Sequence, residues 1–292
     1  MDRERIIKDY SYYLRMERNL SPNTVSAYVS DVGDFLETVS SPPSGIVSDE
    51  IAEYMGALSD KLSKRTQSRV LSSLKSFFDY LVLEGDRTDN PCDRIDSPKL
   101  GRYLPDVLSV GEVAAIIESV RVEAPSGRRD RAILEMLYGC GLRVSELCSL
   151  RISHVYADEG FVRIVGKGNK ERLVPLGEPA AEAFISYLEV RGDAYAPMYD
   201  DIAFLNRFGK PLSRVAVFNM IKKQALAAGV VKNISPHTFR HSFATHMIEN
   251  GADLRVVQEM LGHESVLTTE IYTHIDAGTW QSNILSHHPR NK

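Results

Sequence analysis

The chain has 292 residues, 43% of them hydrophobic and 25% charged; that length fits one large or two ordinary domains, and that composition excludes disorder, collagen and a simple coiled coil. No run approaches the roughly 18–20 uncharged apolar residues of a membrane span, the charge-dense start Met1–Tyr10 is no signal peptide, and three scattered cysteines without C-x-x-C spacing (Cys92, Cys140, Cys148) exclude a disulfide framework or cysteine-rich zinc site and fit a reducing cytoplasm. The net charge of −4, from 35 basic and 39 acidic residues, argues mildly against nucleic acid, so any polyanion site must be a local concentration of cations.

The first ninety residues read as helices. Arg3 to Glu17 is amphipathic, and Ser21-Pro22 supplies an N-cap followed by proline at the first helical position for a second helix to about Val39. The Ser40–Gly45 stretch is a loop, a short helix follows near Asp49 to Ser59, and the last spans about Lys64 to Glu84. Its stripe of Val70, Leu71, Leu74, Phe77, Phe78 and Leu81 is core. The opposite face carries Lys64, Arg65, Arg69 and Lys75, either a solvated surface or a helix lying on a phosphate backbone. Asn90-Pro91 stops this region, and residues 95–106 lack periodicity, so the expected layout is a helical domain over 1–94, a linker over 95–106 and a second domain over 107–292.

The second region opens with the capping box Ser109-x-x-Glu112 before a helix to Val120. A helix over about Arg128 to Tyr138 breaks at Gly139-Cys140-Gly141, and a short one carries Val144 to Leu150. The period then changes to two: 161–165 and 172–176 read as strands joined at Gly166–Lys170 in a hairpin. Helices resume at 178–191, 213–228, 236–250 and 252–261. The fold class expected is mainly α with a small antiparallel sheet.

All eight histidines lie beyond residue 100, and five clusters in that region can carry chemistry. Arg143 at a helix start can aim a bidentate fork at an anion, with Glu146 holding it, or form an ordinary surface ion pair. Lys167 sits at the hairpin tip between two glycines, joined by Lys170 and Arg172; this is an exposed turn or a close approach to a ligand. His237 and Arg240 share one face in the first turns of a helix begun by Ser235-Pro236. His237 and His241 have the spacing of a zinc pair, but Thr238 stands where a metalloprotease helix has glutamate. His263 follows the helix-ending Gly262, and Tyr272 comes near the chain end. Singly each has a bland reading. Together, two arginines, a lysine and two histidines are the donors a phosphodiester needs as charge grows on its oxygens, and a tyrosine supplies a nucleophile once activated. No carboxylate cluster suited to Mg²⁺ accompanies them.

These motifs closely resemble those of the tyrosine recombinase (lambda-integrase-like) family, Xer branch. The resemblance covers nearly the whole chain and is most specific at Gly141–Leu147, Gly166–Leu176, His237–His246, Leu261-Gly262-His263 and Ile271–His274. It implies a SAM-like helical core-binding domain and a catalytic domain closing as a C-shaped clamp on double-stranded DNA. It implies that Arg143 and Arg240 clamp the scissile phosphate and that Lys167 protonates the leaving 5′-oxygen. His237 would move a proton, His263 contact the phosphate and Tyr272 form a 3′-phosphotyrosyl link, without cofactor, metal or ATP. Under this resemblance Lys64, Arg65, Arg69, Lys75, Lys170 and Arg172 become DNA contacts and Glu146 a support for Arg143. It further implies a homo- or hetero-tetramer around a Holliday junction, docked through a tail that includes Trp280, Ile284 and Leu285, with a DNA-translocating activator as a further partner. The setting is the cytoplasm, at the nucleoid, in chromosome or plasmid dimer resolution. A phage or mobile-element integrase shares the same pocket, although no arm-binding domain precedes Met1. A catalytically silent junction-binding protein is the non-enzyme alternative, and the filled pocket counts against it.

Overall fold

The computed structural model describes residues 3–98, 107–166, 170–262 and 285–291. The chain divides into two compact units between residues 103 and 104; most of the expected linker lies outside the described residues.

The first unit is built from α1 (Arg3–Met16), α2 (Pro22–Thr38), α3 (Ser48–Ser59) and α4 (Lys64–Leu83). The helix starts are set by local chemistry. Ser21 Oγ accepts from the Thr24 amide with Pro22 at the first helical position, and Ser63 does the same for Thr66. The apolar stripe of α4 is buried as its spacing predicts and packs on Tyr10 of α1 and Phe35 of α2. The Phe77 and Tyr10 rings meet edge-on at 5.3 Å. Each such ring removed from water contributes about 1.5–3 kcal/mol, which is what holds helices this short together. A 3₁₀ turn over Pro91–Arg94, capped by the Asn90 side chain, closes the unit.

The second unit contains α5 (Val110–Glu118), α6 (Pro125–Gly139), α7 (Val144–Cys148), β1 (Val155–Tyr156), β2 (Phe161–Val165), β3 (Glu171–Pro175), α8 (Glu178–Leu188), α9 (Arg214–Ala227), α10 (Pro236–Glu249) and α11 (Leu254–Leu261). The three strands are antiparallel in the order β1-β2-β3, with Ile164 opposite Arg172 and Val162 opposite Val174. The fold is therefore mainly α with a small antiparallel sheet. Sequence periodicity finds β2 and β3 but not β1, because two residues contain no alternation to detect. It also starts α6 late: Pro125 takes the first helical position, three residues before the pattern begins. α6 is the spine of this unit, with every side chain from Ala132 to Tyr138 buried. Phe239, Phe243 and Met247 of α10 belong to the same core.

Candidate active site

The site is set up by a turn only glycine can make. After α6, Gly141 takes a left-handed backbone (φ +59°), and a Cβ there would come within 2.5 Å of the Phe243 ring. The turn delivers Arg143 to the start of α7, where Glu146 Oε2 accepts the Arg143 backbone N–H and Oε1 accepts its guanidinium, both at 2.8 Å. The same carboxylate takes a fork from Arg172 of β3, Nη1 to Oε1 and Nη2 to Oε2, each at 2.9 Å. Arg240 of α10 brings a third guanidinium to 4.0 Å. Three cations thus surround one buried carboxylate.

Burial alone would raise the Glu146 pKa; the hydrogen bonds and charge of Arg172, followed by the bonds from Arg143, outweigh it and hold the carboxyl below the ordinary range. Burial and then the charge of Arg143 depress Arg240 to about 10, with Glu146 opposing them, so it is still protonated at neutral pH.

The three arginines share a second partner, the carboxyl end of α11. Its terminal carbonyls have no acceptor role inside the helix and carry the negative end of the helix dipole. Arg172 Nε donates to Met260 O at 2.7 Å, Arg240 Nη2 to Leu261 O, and Arg143 Nη2 to Gly262 O at 2.9 Å. Arg240 Nη1 also donates to Gly141 O at 2.6 Å. Gly262 ends the helix in the left-handed region (φ 63°, ψ 51°). A guanidinium has five N–H donors. Arg143 and Arg240 each commit two, leaving an unspent share for an anion, whereas Arg172 engages all three of its nitrogens and its side chain is only 9% exposed.

The remaining sequence-derived residues separate into groups. His237 is exposed in the first turn of α10, one turn before Arg240, and Lys170 is exposed beside the hairpin turn that the Gly166 amide closes on Lys170 O at 2.8 Å. Lys167, His263 and Tyr272 lie outside the described residues. Arg172, expected as a DNA contact, is largely buried here and held by Glu146. In the first unit, Lys64 and Arg65 are exposed with no ion-pair partner among the described residues. Arg69 is instead tied to buried Asp31, which also accepts from Ser73, and Lys75 pairs with Asp93 at 2.8 Å. Beside Glu146 a cleft of about 400 Å³ is lined by Arg151, His154 and Arg163. Burial, then the charges of Arg163 and Arg151, lower the pKa of His154, with Asp201 and Glu171, the ion-pair partners of those arginines, opposing them.

The Phage integrase family model matches residues 106–278, and the family's N-terminal SAM-like domain matches residues 7–85. The chain belongs to the phage integrase family. Within it, a tyrosine recombinase XerD of Chlorobaculum tepidum is 43% identical over 292 residues, covering 97% of this chain and 96% of that one. The crystal structure of XerA recombinase aligns over 99% of this chain and 100% of its own, with 31% identity and a TM-score of 0.52. The XerH site-specific recombinase bound to palindromic difH substrate, a post-cleavage complex, has a TM-score of 0.71 at 23% identity, covering 95% of this chain and 83% of that one. The chain is a tyrosine recombinase of the Xer branch. Among the described residues no group of three or more His, Cys, Asp or Glu could hold a metal, and no helix is long and apolar enough to cross a membrane.

Sequence reasoning missed how the chain end is held. Trp280 and Ile284 lie outside the described residues, but 285–291 packs on the same unit. His288 is buried against Tyr138 and Phe243, its Nε2–H donating to Tyr138 O at 3.3 Å and its Nδ1 accepting from the Arg290 amide at 3.1 Å. Tyr138 Oη meets His246 Nδ1 at 2.8 Å, and Arg290 pairs with buried Glu135. Glu135, a carboxylate inside the apolar run Ile133–Leu137, is also held by Arg131 one turn earlier at 3.2 Å, so the sequence carried no signal that Arg290 is its partner.

With both ring nitrogens committed, His288 is held neutral: burial lowers its pKa to about 4, with the Tyr138 bond opposing and Arg290 and His246 adding to the depression. The sign follows from linkage. The released imidazole, near its ordinary value of about 6.5, takes up protons that the docked one refuses, so docking is full above about pH 6.5 and weakens as pH falls toward 4. Hydrogen exchange of 285–291 is expected to be slow at pH 7.5 and, after correction for intrinsic rates, at least tenfold less protected at pH 5. Equal protection at both would contradict it.

Proposed function

We propose that this chain cuts and rejoins duplex DNA at a specific core site through a 3′-phosphotyrosyl intermediate. The observation that carries the reading is the convergence of Arg143 and Arg240 on Glu146, each with donors unspent. In the proposed reaction the Tyr272 oxygen attacks the scissile phosphorus, the 5′-oxygen leaves with a proton from Lys167, and the negative charge growing on the non-bridging oxygens is met by Arg143, Arg240 and His263. His237 takes the phenolic proton. The new phosphodiester keeps the energy of the old one, so the 5′-hydroxyl of a partner strand reverses the step without ATP. Two such exchanges, with a Holliday junction between them, recombine two sites.

Names of relatives support the wider role: an XerD relative over nearly the full chain, and an XerH complex solved after cleavage of its substrate. The role proposed is resolution of chromosome or plasmid dimers at the nucleoid, in the cytoplasm. Lys64, Arg65 and Lys170 are the sequence-derived cations that remain free to reach the DNA backbone. The tetramer proposed is held by the tail that includes Trp280, Ile284 and Leu285, with residues 285–291 giving up the surface of Tyr138, Phe243 and Glu135 to a neighbour's tail. A DNA translocase as activator completes this proposal.

The test is a nicked duplex carrying the sequence that the purified protein protects. Wild type is expected to form an SDS-resistant adduct on the 3′ side of the break, at an undiminished rate in EDTA, because arginine and lysine supply the charges. Loss of the adduct in EDTA, or attachment at the 5′ side, would overturn the mechanism.

A further inference from the structure

We propose that Arg172 is a positioning residue: it fastens the last turn of α11 to the carboxylate that aims Arg143, and so fixes where the chain enters the segment carrying His263 and Tyr272. This rests on the recombinase reading above and deepens it. Arg172 joins three elements at once. It projects from β3, five residues beyond Lys167; its fork spans both oxygens of Glu146 on α7; and its Nε reaches Met260 O on α11. The other two arginines hold the same helix end differently. Arg240 and Arg143 sit on Leu261 O and Gly262 O, and these carbonyls are neutral acceptors that a phosphate oxygen outbids. When DNA brings its phosphate to these guanidinium groups, the hold on Leu261 and Gly262 loosens. The Met260 contact stays, because Arg172 is pinned across both oxygens of a charged carboxylate and its side chain, only 9% exposed, offers the substrate little surface.

Residue 262 shows how closely the brace is fitted. A Cβ there would come within 3.2 Å of the Arg172 guanidinium, so the left-handed glycine both ends the helix and lets that guanidinium lie against the backbone. A lysine cannot replace this arrangement. Its single ammonium keeps the charge but cannot bridge two carboxylate oxygens and a carbonyl in one plane.

The experiment compares Arg172→Lys with wild type on the nicked duplex, measuring the dissociation constant for DNA and single-turnover cleavage at saturating protein. Binding is expected to stay within about threefold while cleavage falls about 30- to 100-fold, as expected for a reacting group displaced by an ångström. Replacing the 5′-bridging oxygen with sulfur is expected to restore Lys167→Ala but not Arg172→Lys, because the brace acts on the α11 side and not on the leaving group. Glu146→Gln keeps the volume and reads the same link from its other end, which guards against loss of folding in one variant. The double variant is expected to be no worse than the poorer single, since both break one unit. Wild-type cleavage by bound Arg172→Lys, a binding loss that accounts for the whole defect, rescue by sulfur, or additive losses would each overturn the proposal. Failure of wild type to form the adduct would instead sink the recombinase reading.

Discussion

Tyr272→Phe is expected to bind the core site as wild type does and to form no covalent adduct on a nicked duplex. The phenylalanine keeps the ring and removes only the oxygen proposed as nucleophile. Affinity for DNA comes from cations meeting phosphates along the backbone, and Lys64, Arg65, Lys170 and the Arg143–Arg240 pair are untouched by the change. On the proposed mechanism the chemical step then has no substitute, because water, like a phenol of ordinary pKa near 10, attacks only when activated. Loss of a covalent nucleophile costs about 10⁴-fold or more in comparable sites. The measurement is an SDS gel of protein on end-labelled nicked DNA, with a mobility-shift titration on the same samples. Trapping of the phenylalanine variant at the wild-type level would show that another residue attacks.

Features encoded by neighbouring residues were legible in the sequence. Ser21-Pro22, Ser109 with Glu112, and Ser235-Pro236 each cap a helix with atoms three residues apart, and all three caps are found in the fold. Gly262 ends α11 as a glycine placed after a periodic run should. What the sequence concealed were partners far along the chain. Arg69 and Lys75 sit on the polar face of α4 as their spacing requires, yet Asp31 and Asp93, distant in sequence, neutralise them. Arg172 alternates correctly within β3, but nothing in a strand's period reveals a carboxylate 26 residues earlier. The tail is the extreme case: Arg290 answers Glu135 across 155 positions. The motif residues themselves were visible because chemistry fixes their types. Which arginines keep donors unspent and which one is engaged at all three nitrogens is a matter of hydrogen-bond geometry, and only the fold supplies that.

Arg240→Gln is expected to lose both stability and cleavage, and the two losses have separate causes. In the resting molecule Arg240 satisfies Gly141 O and Leu261 O in a buried setting, its side chain only 10% exposed. Glutamine is too short to reach both, so at least one buried carbonyl goes unpaired, at a cost of about 1–3 kcal/mol. One positive charge is also removed beside Glu146. Arg172 and Arg143 still neutralise that carboxylate, so its penalty is smaller than for an isolated buried ion. The melting temperature is expected to fall by several degrees, and the fall should be shared by Arg240→Lys, whose ammonium also cannot serve two carbonyls on opposite sides. Cleavage is a different matter. The negative charge that grows on the phosphate during attack needs a fixed cation in place beforehand, and removing one such donor costs about 10²–10³-fold. Arg240→Lys keeps a charge and should recover part of the rate while remaining as unstable as the glutamine variant. Single-turnover cleavage at saturating protein, set beside thermal melts of both variants, separates the effects. If glutamine cleaves within tenfold of wild type, or if rate and melting temperature fall in strict parallel for the two variants, Arg240 holds the fold together and does not clamp the phosphate.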